Sequence, residues 1–278
     1  FERDVIEPYV ADHAAGRTPN PCIECNRHLK FDRLVRRADA LGFDMIATGH
    51  HARVVSTPAG PRLGRGVDAA KDQSYVLHVI EESVLARMLL PVGELTKADV
   101  RRLAMDLDLR TAQKPESQDV CFITNEHGRA AFLGQRIPLK PAAVIDRSGK
   151  QVGQVDSVEM VTIGQRKGLG LAGGTNPKYV VDVDATAEGD RRVMVGEKAD
   201  LEAPVTELES WRWVSEPVDG PLRFQCSAHG RVEPGRIEDG RRVVWEEPHR
   251  RIAAGQSVVG YDADDVVVGG GIAGRTPL

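Results

Sequence analysis

CNRHLKFDRLVRRADALGFDMIATGHHARVV, residues 25–55, decides the fold class. Phe31, Leu34, Val35, Ala38 and Leu41 recur at helical spacing, so they predict an amphipathic helix with one apolar face. Asn26 can cap its start and Gly42 can end it. The opposite face carries Arg27, Lys30, Arg33 and Arg37, which reads as a solvated face or as a stripe facing phosphates. DMIATGHHARVV then reads as an apolar strand ending at Thr48-Gly49. A helix followed by such a strand predicts a parallel α/β sheet.

Outward from this stretch the same alternation continues. EPYVADHAAG (7–16) reads as the end of a helix, with Gly16 as its stop. ELTKADVRRLAMDLDL (94–109) is a second amphipathic helix. Thr96 is its N-cap, Asp99 its third position, and Val100, Leu103, Ala104 and Leu107 its buried stripe. After about residue 135 the pattern turns to β. AAVIDRSGKQVG (142–153) is a hairpin signal with its turn at Arg147–Lys150. KYVVDVDA, RRVMVGE, PLRFQCSA, RRVVWEE and QSVVGYDADDVVVGGG follow as short β runs between Gly, Pro and Asp turns. That is the rhythm of small barrels.

The chain has 278 residues and a net charge of −4. It is long enough for two or three domains, and any nucleic-acid role rests on local basic patches. Its apolar runs are too short to cross a membrane, and FERDVIEP at the start carries no signal-peptide pattern. Four cysteines, Cys22, Cys25, Cys121 and Cys226, are too few for a disulfide scaffold and point to a reduced, cytoplasmic setting.

TPNPCIECNRHLKF (18–31) holds two of those cysteines in a CxxC. A structural zinc site needs a second close pair of ligands, and none exists. A redox dithiol needs a strand just before the motif, where GRTPNP is a Pro-rich loop. The third reading fits better: Cys25, just before Asn26, sits at a helix start whose free N–H groups favour a thiolate, and Pro19 and Pro21 stiffen the approach. Cys121, in KPESQDVCFI (114–123), reads alone as a buried free cysteine in a β-like run. ATGHHAR (47–53) places a Gly at a strand end, where nucleotides bind in α/β sheets. KDQSYVL (71–77) reads equally as a capped helix start. TIGQRKGLGLAGGTNPKYVV (162–181) is dense in Gly and basic residues, as a flexible loop or a phosphate contact would be.

Taken in order, GRTPNPCIECNRHLKF, ATGHHAR, KDQSYVL, ESQDVCFI, TIGQRKGLG and GQSVVGY…VVVGGGIA resemble the tRNA-specific 2-thiouridylases of the bacterial MnmA family, from Gly16 to Ala273. The resemblance implies three units: the C-terminal part of a PP-loop nucleotide-binding domain over 1–130, a central tRNA-binding β domain over 131–203, and a β-barrel over 204–278. It implies ATP, with Mg²⁺, for adenylating C2–O of the wobble uridine, and a persulfide from a cysteine desulfurase or relay protein. No structural metal is expected. Cys25 matches the nucleophile and Cys121 the persulfide carrier, a pair that can close as a disulfide. Asn20, Pro21 and Cys22 match the target-base loop. Some members have Asp at the Cys22 position, so a proton-moving role does not carry over. Gly49 matches an ATP contact, and His50, Lys71, Asp72, Gln73 and Gln256 match tRNA contacts. An Arg-Tyr tRNA contact of the family has no equivalent here, where Ser227 and Ala228 stand.

The family's phosphate loop, SGGVDSS, has no counterpart in these 278 residues. Without such a nest of backbone N–H groups, productive ATP binding by the chain as given is not expected. Two other readings stand beside this one. One is a tRNA-binding remnant without catalysis; the other is an enzyme that adenylates a different substrate and has no use for paired thiols.

Overall fold

The computed structural model describes residues 1–114, 120–123, 128–172, 176–185 and 191–276. A π-helical turn, Glu2–Ile6, leads into α1 (Glu7–Ala14), and Gly16 follows at φ +74°. An ideal Cβ on Gly16 would stand 2.5 Å from the Ala185 side chain. Both the left-handed backbone and this close approach to the middle sheet therefore require glycine.

The next helix starts earlier than the sequence suggests. α2 (Pro21–Glu24) runs through a wide π-helical segment, Cys25–Phe31, into α3 (Asp32–Leu41), which ends at Gly42 with φ +73°. The cap is Asn20, whose side chain accepts from Cys22 N at 3.1 Å, not Asn26. Pro21 explains the shift, because a fixed φ and a missing N–H suit the first helical position. Asn26 instead lies buried inside the helix and donates from Nδ2 to Val76 O at 3.0 Å.

The strand predicted to end at Thr48-Gly49 is short. β1 (Ile46–Ala47) pairs in parallel with β4 (Met88–Leu89). Between them lie the antiparallel hairpin β2 (Ala52–Thr57) and β3 (Gly60–Arg65), α4 (Ser74–Leu77) and α5 (Glu82–Leu85). The chain leaves the parallel pair at Gly49–His51. α6 (Lys97–Asp106) has the expected capping box between Thr96 and Asp99. Its apolar stripe is not buried as predicted: Leu103 and Leu107 are exposed, as are Leu41, Phe43 and Met45. No described residue covers these side chains. α7 (Gly128–Gly134) closes the first part.

The middle part is a four-stranded sheet in the order β6-β5-β8-β7, built from β5 (Ala142–Ile145), β6 (Gln151–Val155), β7 (Tyr179–Asp184) and β8 (Arg192–Gly196). The predicted hairpin turn is held by the Asp146 carboxylate, which accepts from Ser148 N, Ser148 Oγ and Lys150 N. In the 162–181 run, Gly173 and Gly174 lie outside the described residues.

The last part is a closed barrel in the order β10-β11-β12-β9-β14-β13. Its strands are β9 (Glu202–Trp213), β10 (Leu222–Gln225), β11 (Glu233–Glu238), β12 (Arg242–Arg250), β13 (Ser257–Tyr261) and β14 (Val267–Ala273). Closure removes the exposed edges that short strands otherwise present. The barrel is not a pendant module: Val259, Tyr261 and Val267 complete the same apolar cluster as Phe31, Tyr75, Leu77 and Met88. First part and barrel therefore share one core.

Candidate functional site

The loop before α2 is held by all three parts. Thr18 N donates to Ala254 O at 2.8 Å, and Gln256 Nε2 donates to Thr18 O at 2.6 Å, both from the barrel. Thr18 Oγ1 meets Thr162 Oγ1 of the middle part at 3.2 Å. Arg17 pairs with Asp12 at 2.8 Å and with Glu209 on β9. Thr18, two residues before Asn20, is thus fixed where the three parts meet. Gln256 spends its amide on that junction.

Cys25 is half-buried and stands one turn inside the helix, so the expected help from a free helix start falls to Cys22 instead. Burial pushes the Cys25 thiol above its ordinary pKa, and Lys30 opposes the shift. Cys121 adds a smaller push in the same direction as burial. Cys121 is exposed and lies in a turn, not in the buried β-like run the sequence suggests. Its neighbour Val120 has φ +47°, an unfavourable backbone for a β-branched residue. Cys226 is a different case: its packing against the barrel core pushes its thiol far above the ordinary value.

Lys30 reaches a second partner. Its Nζ donates to His50 Nε2 at 3.4 Å, while His50 Nδ1 meets Thr48 Oγ1 at 2.9 Å. With Nε2 accepting, the proton sits on Nδ1. Burial, then Lys30, then His51 lower the His50 pKa to about 4, so His50 is neutral at pH 7. The sequence reads the Lys30 face as solvated or facing phosphates, and Lys30 is indeed exposed; its contact with His50 depends on the β1 turn, distant in sequence.

The 71–74 cluster works inward. Asp72 Oδ1 accepts from Gly66 N at 2.8 Å and Ser74 N at 3.1 Å; Oδ2 accepts from Ser74 Oγ at 2.7 Å and Arg65 Nε at 3.2 Å. Gln73 Oε1 accepts from His51 N at 2.9 Å, and Gln73 N donates back to His51 O at 2.8 Å. Lys71 lies close enough to lower the His51 pKa. Gly49 is exposed, and a Cβ there would meet nothing within 4 Å. That leaves room beside the strand end for a ligand. Among the described residues no three His, Cys, Asp or Glu side chains converge as metal ligands, and no helix is long and apolar enough to cross a membrane.

Three histidines make the fold acid-sensitive. His13, His50 and His78 each have their pKa lowered to about 4, in each case chiefly by burial. The unfolded chain takes up these protons near the ordinary value of 6.5, before the folded one does. Stability is therefore full above about pH 6.5 and falls as pH drops from there toward 4. Urea midpoints measured from pH 7.5 to 4.5 should decline steadily below 6.5. A flat profile over that range would contradict the buried neutral histidines.

Three family models match the chain: a tRNA methyl transferase HUP domain over residues 1–125, a tRNA methyl transferase PRC-barrel domain over 130–197, and an aminomethyltransferase beta-barrel domain over 206–273. Curated relatives are tRNA-specific 2-thiouridylases named MnmA. The one from Carboxydothermus hydrogenoformans is 42% identical, over 99% of this chain and 77% of its own length. The one from Mycolicibacterium smegmatis is 42% identical, over 99% of this chain and 79% of its own. The one from Thermobifida fusca is 40% identical, over 96% and 73%. The family-model labels speak of methyl transfer and the relatives of thiolation. Identity near 40% over almost the whole chain carries the relatives' side.

Proposed function

The chain belongs to the MnmA family of tRNA-specific 2-thiouridylases, and from that premise we propose that its residues replace the C2 oxygen of a tRNA wobble uridine with sulfur. The observation that carries the reading is the junction of all three parts at Thr18, two residues before the capped Asn20-Pro21-Cys22 segment, with Cys25 one turn further on and its thiol sensitive to charge on Cys121.

In this reading ATP, with Mg²⁺ on its phosphates, activates the uridine as an adenylate, so that C2–O becomes a good leaving group. Gly49 gives the nucleotide backbone room at the end of β1. Cys121, being exposed, accepts the sulfane sulfur from a donor protein and carries it as a persulfide. The Cys25 thiolate attacks Cys121 Sγ, and the bond from that sulfur to the sulfane sulfur breaks. The sulfane sulfur leaves with the electron pair and adds to C2, and AMP departs. The cysteines end as a disulfide, which an external thiol reductant must reopen before the next turnover. Lys30 favours the Cys25 thiolate.

His50, Lys71, Asp72, Gln73 and Gln256 support tRNA binding in two ways. Lys71, with Arg27, Lys30 and the Gln165-Arg166-Lys167 loop, supplies local positive charge against phosphates on a chain of net charge −4. The polar atoms of His50, Asp72, Gln73 and Gln256 hold the surrounding loops. The division at 1–130, 131–203 and 204–278 belongs to the same proposal.

The test uses two preparations: the 278-residue chain, and the same chain joined to the phosphate-loop segment that the resemblance implies. Each receives tRNA, a persulfide donor and ATP, and nucleoside mass spectrometry follows 2-thiouridine. The joined chain should form it only with ATP. Both should bind tRNA with an affinity that falls as salt rises. ATP-dependent methylation instead of thiolation, or tRNA affinity indifferent to salt, would overturn the proposal.

A further inference from the structure

Cys121 is exposed, yet the residue after it is not. The Phe122 ring packs edge-on against Phe1 at 5.6 Å and against Tyr9 at 5.5 Å, and at a tilt against Phe132 at 5.3 Å. Tyr9 is buried and packs in turn on buried His13, ring centroids 4.5 Å apart. Phe132 belongs to α7 and Tyr9 to α1. Phe122 thus ties the thiol-bearing turn to both helices. In that turn the backbone is strained: Val120 is left-handed, and Ile123 N closes the turn onto Val120 O at 3.0 Å. A β-branched residue holds such a conformation only where its surroundings enforce it. Cys121 itself is exposed.

We infer that Phe122 is a positioning residue for sulfur transfer: its seat in the Phe1–Tyr9–Phe132 cluster holds the strained turn and so sets how often the Cys121 sulfur meets Cys25. The inference rests on the proposed pairing of these cysteines. It assigns to an aromatic side chain, remote from the reacting atoms, the effective concentration of one thiol at the other. The encounter of two groups on separate elements depends steeply on such placement. Aromatic rings meeting edge-on suit the task, because their contact geometry is directional and not merely apolar.

The experiment measures the effective molarity of the Cys25–Cys121 disulfide in glutathione redox buffers. The electron balance is complete: oxidised glutathione takes two electrons from the two thiols and leaves as two reduced molecules. Phe122→Ala should lower the effective molarity at least about tenfold, since misplacement on the ångström scale costs proximity effects that much or more. Phe122→Tyr should stay near the parent, and Phe132→Leu, which loosens the seat without touching the turn, should fall between. Alkylation of Cys121 by a small reagent should not slow in any variant, because that thiol is already exposed. If Phe122→Ala does not fold, Phe132→Leu and Phe122→Leu carry the comparison. An effective molarity unchanged in folded variants overturns the positioning role alone. A parent protein that forms no Cys25–Cys121 disulfide at any redox ratio overturns the pairing and this inference together.

Discussion

In the chain joined to the phosphate-loop segment, Cys25→Ser and Cys121→Ser should each lower 2-thiouridine formation at least about a thousandfold, the scale on which loss of a nucleophile acts, while tRNA binding stays within a few-fold. Neither side chain lies in a packed core, Cys25 being half-buried and Cys121 exposed, so serine at either position should leave the fold intact. The two variants should differ in where the sulfur stops. Cys121→Ser cannot accept the sulfane sulfur at all. Cys25→Ser should load Cys121 normally and then stall as a persulfide, detectable by mass spectrometry of the intact protein. Burial holds the Cys25 thiol above its ordinary pKa, with Lys30 pulling the other way. The thiolate fraction therefore rises with pH through the neutral range, and the rate of the parent enzyme should rise with it. Lys30→Met should depress the rate at pH 7 and move the rise to higher pH. Loss of tRNA binding in either serine variant would make the cysteines structural. A pH-independent rate would mean that Cys25 is not the attacking thiolate.

How much of this was legible in the sequence depends on the range of the interactions. Gly42, Thr96 with Asp99, and the Arg147–Lys150 turn act within a few residues. The barrel's strands were legible for the same reason, from alternation and turn residues. Asn20-Pro21 was a local signal too, and Asn26 was the weaker one. A Pro at the first helical position outranks an Asn further along, because it fixes φ where the helix needs it. What stayed hidden is long-range. That Leu103 and Leu107 face outward depends on what else packs there, which helical periodicity does not reveal. Thr18 meeting Thr162 and Gln256 joins residues more than a hundred positions apart. The contacts of Phe122 with α1 and α7 join residues about ten to more than a hundred positions away, and no local pattern carries them. The cysteine pair itself was legible only through resemblance, since no spacing rule links positions 25 and 121.

Asp72→Ala should cost about 3–5 kcal/mol of stability, the range for removing one partner of a buried ion pair. The Asp72 side chain is 1% exposed and Arg65 is 13% exposed. Removing the carboxylate leaves the Arg65 guanidinium with Asp265 at 3.5 Å, and it leaves Gly66 N and both Ser74 donors without their acceptor. The loss would not stay local. Ser74 Oγ meets Tyr261 Oη at 3.0 Å, and Tyr261 is a buried barrel residue whose ring lies under Arg65 at 5.6 Å. Asp72 is therefore the node through which the 66–74 loop grips the barrel. Asp72→Asn keeps one acceptor oxygen and the shape but removes the charge, so its cost should be smaller, about 1–3 kcal/mol. The match to a tRNA contact makes a different prediction: weaker tRNA binding with little change in stability. Urea unfolding and tRNA titration of the two variants separate the cases. A large loss of stability, with affinity recovering when binding is measured well below the unfolding transition, fits a residue that shapes the RNA surface from within. An unchanged urea midpoint with binding reduced tenfold or more would show that Asp72 leaves its internal partners to meet RNA directly.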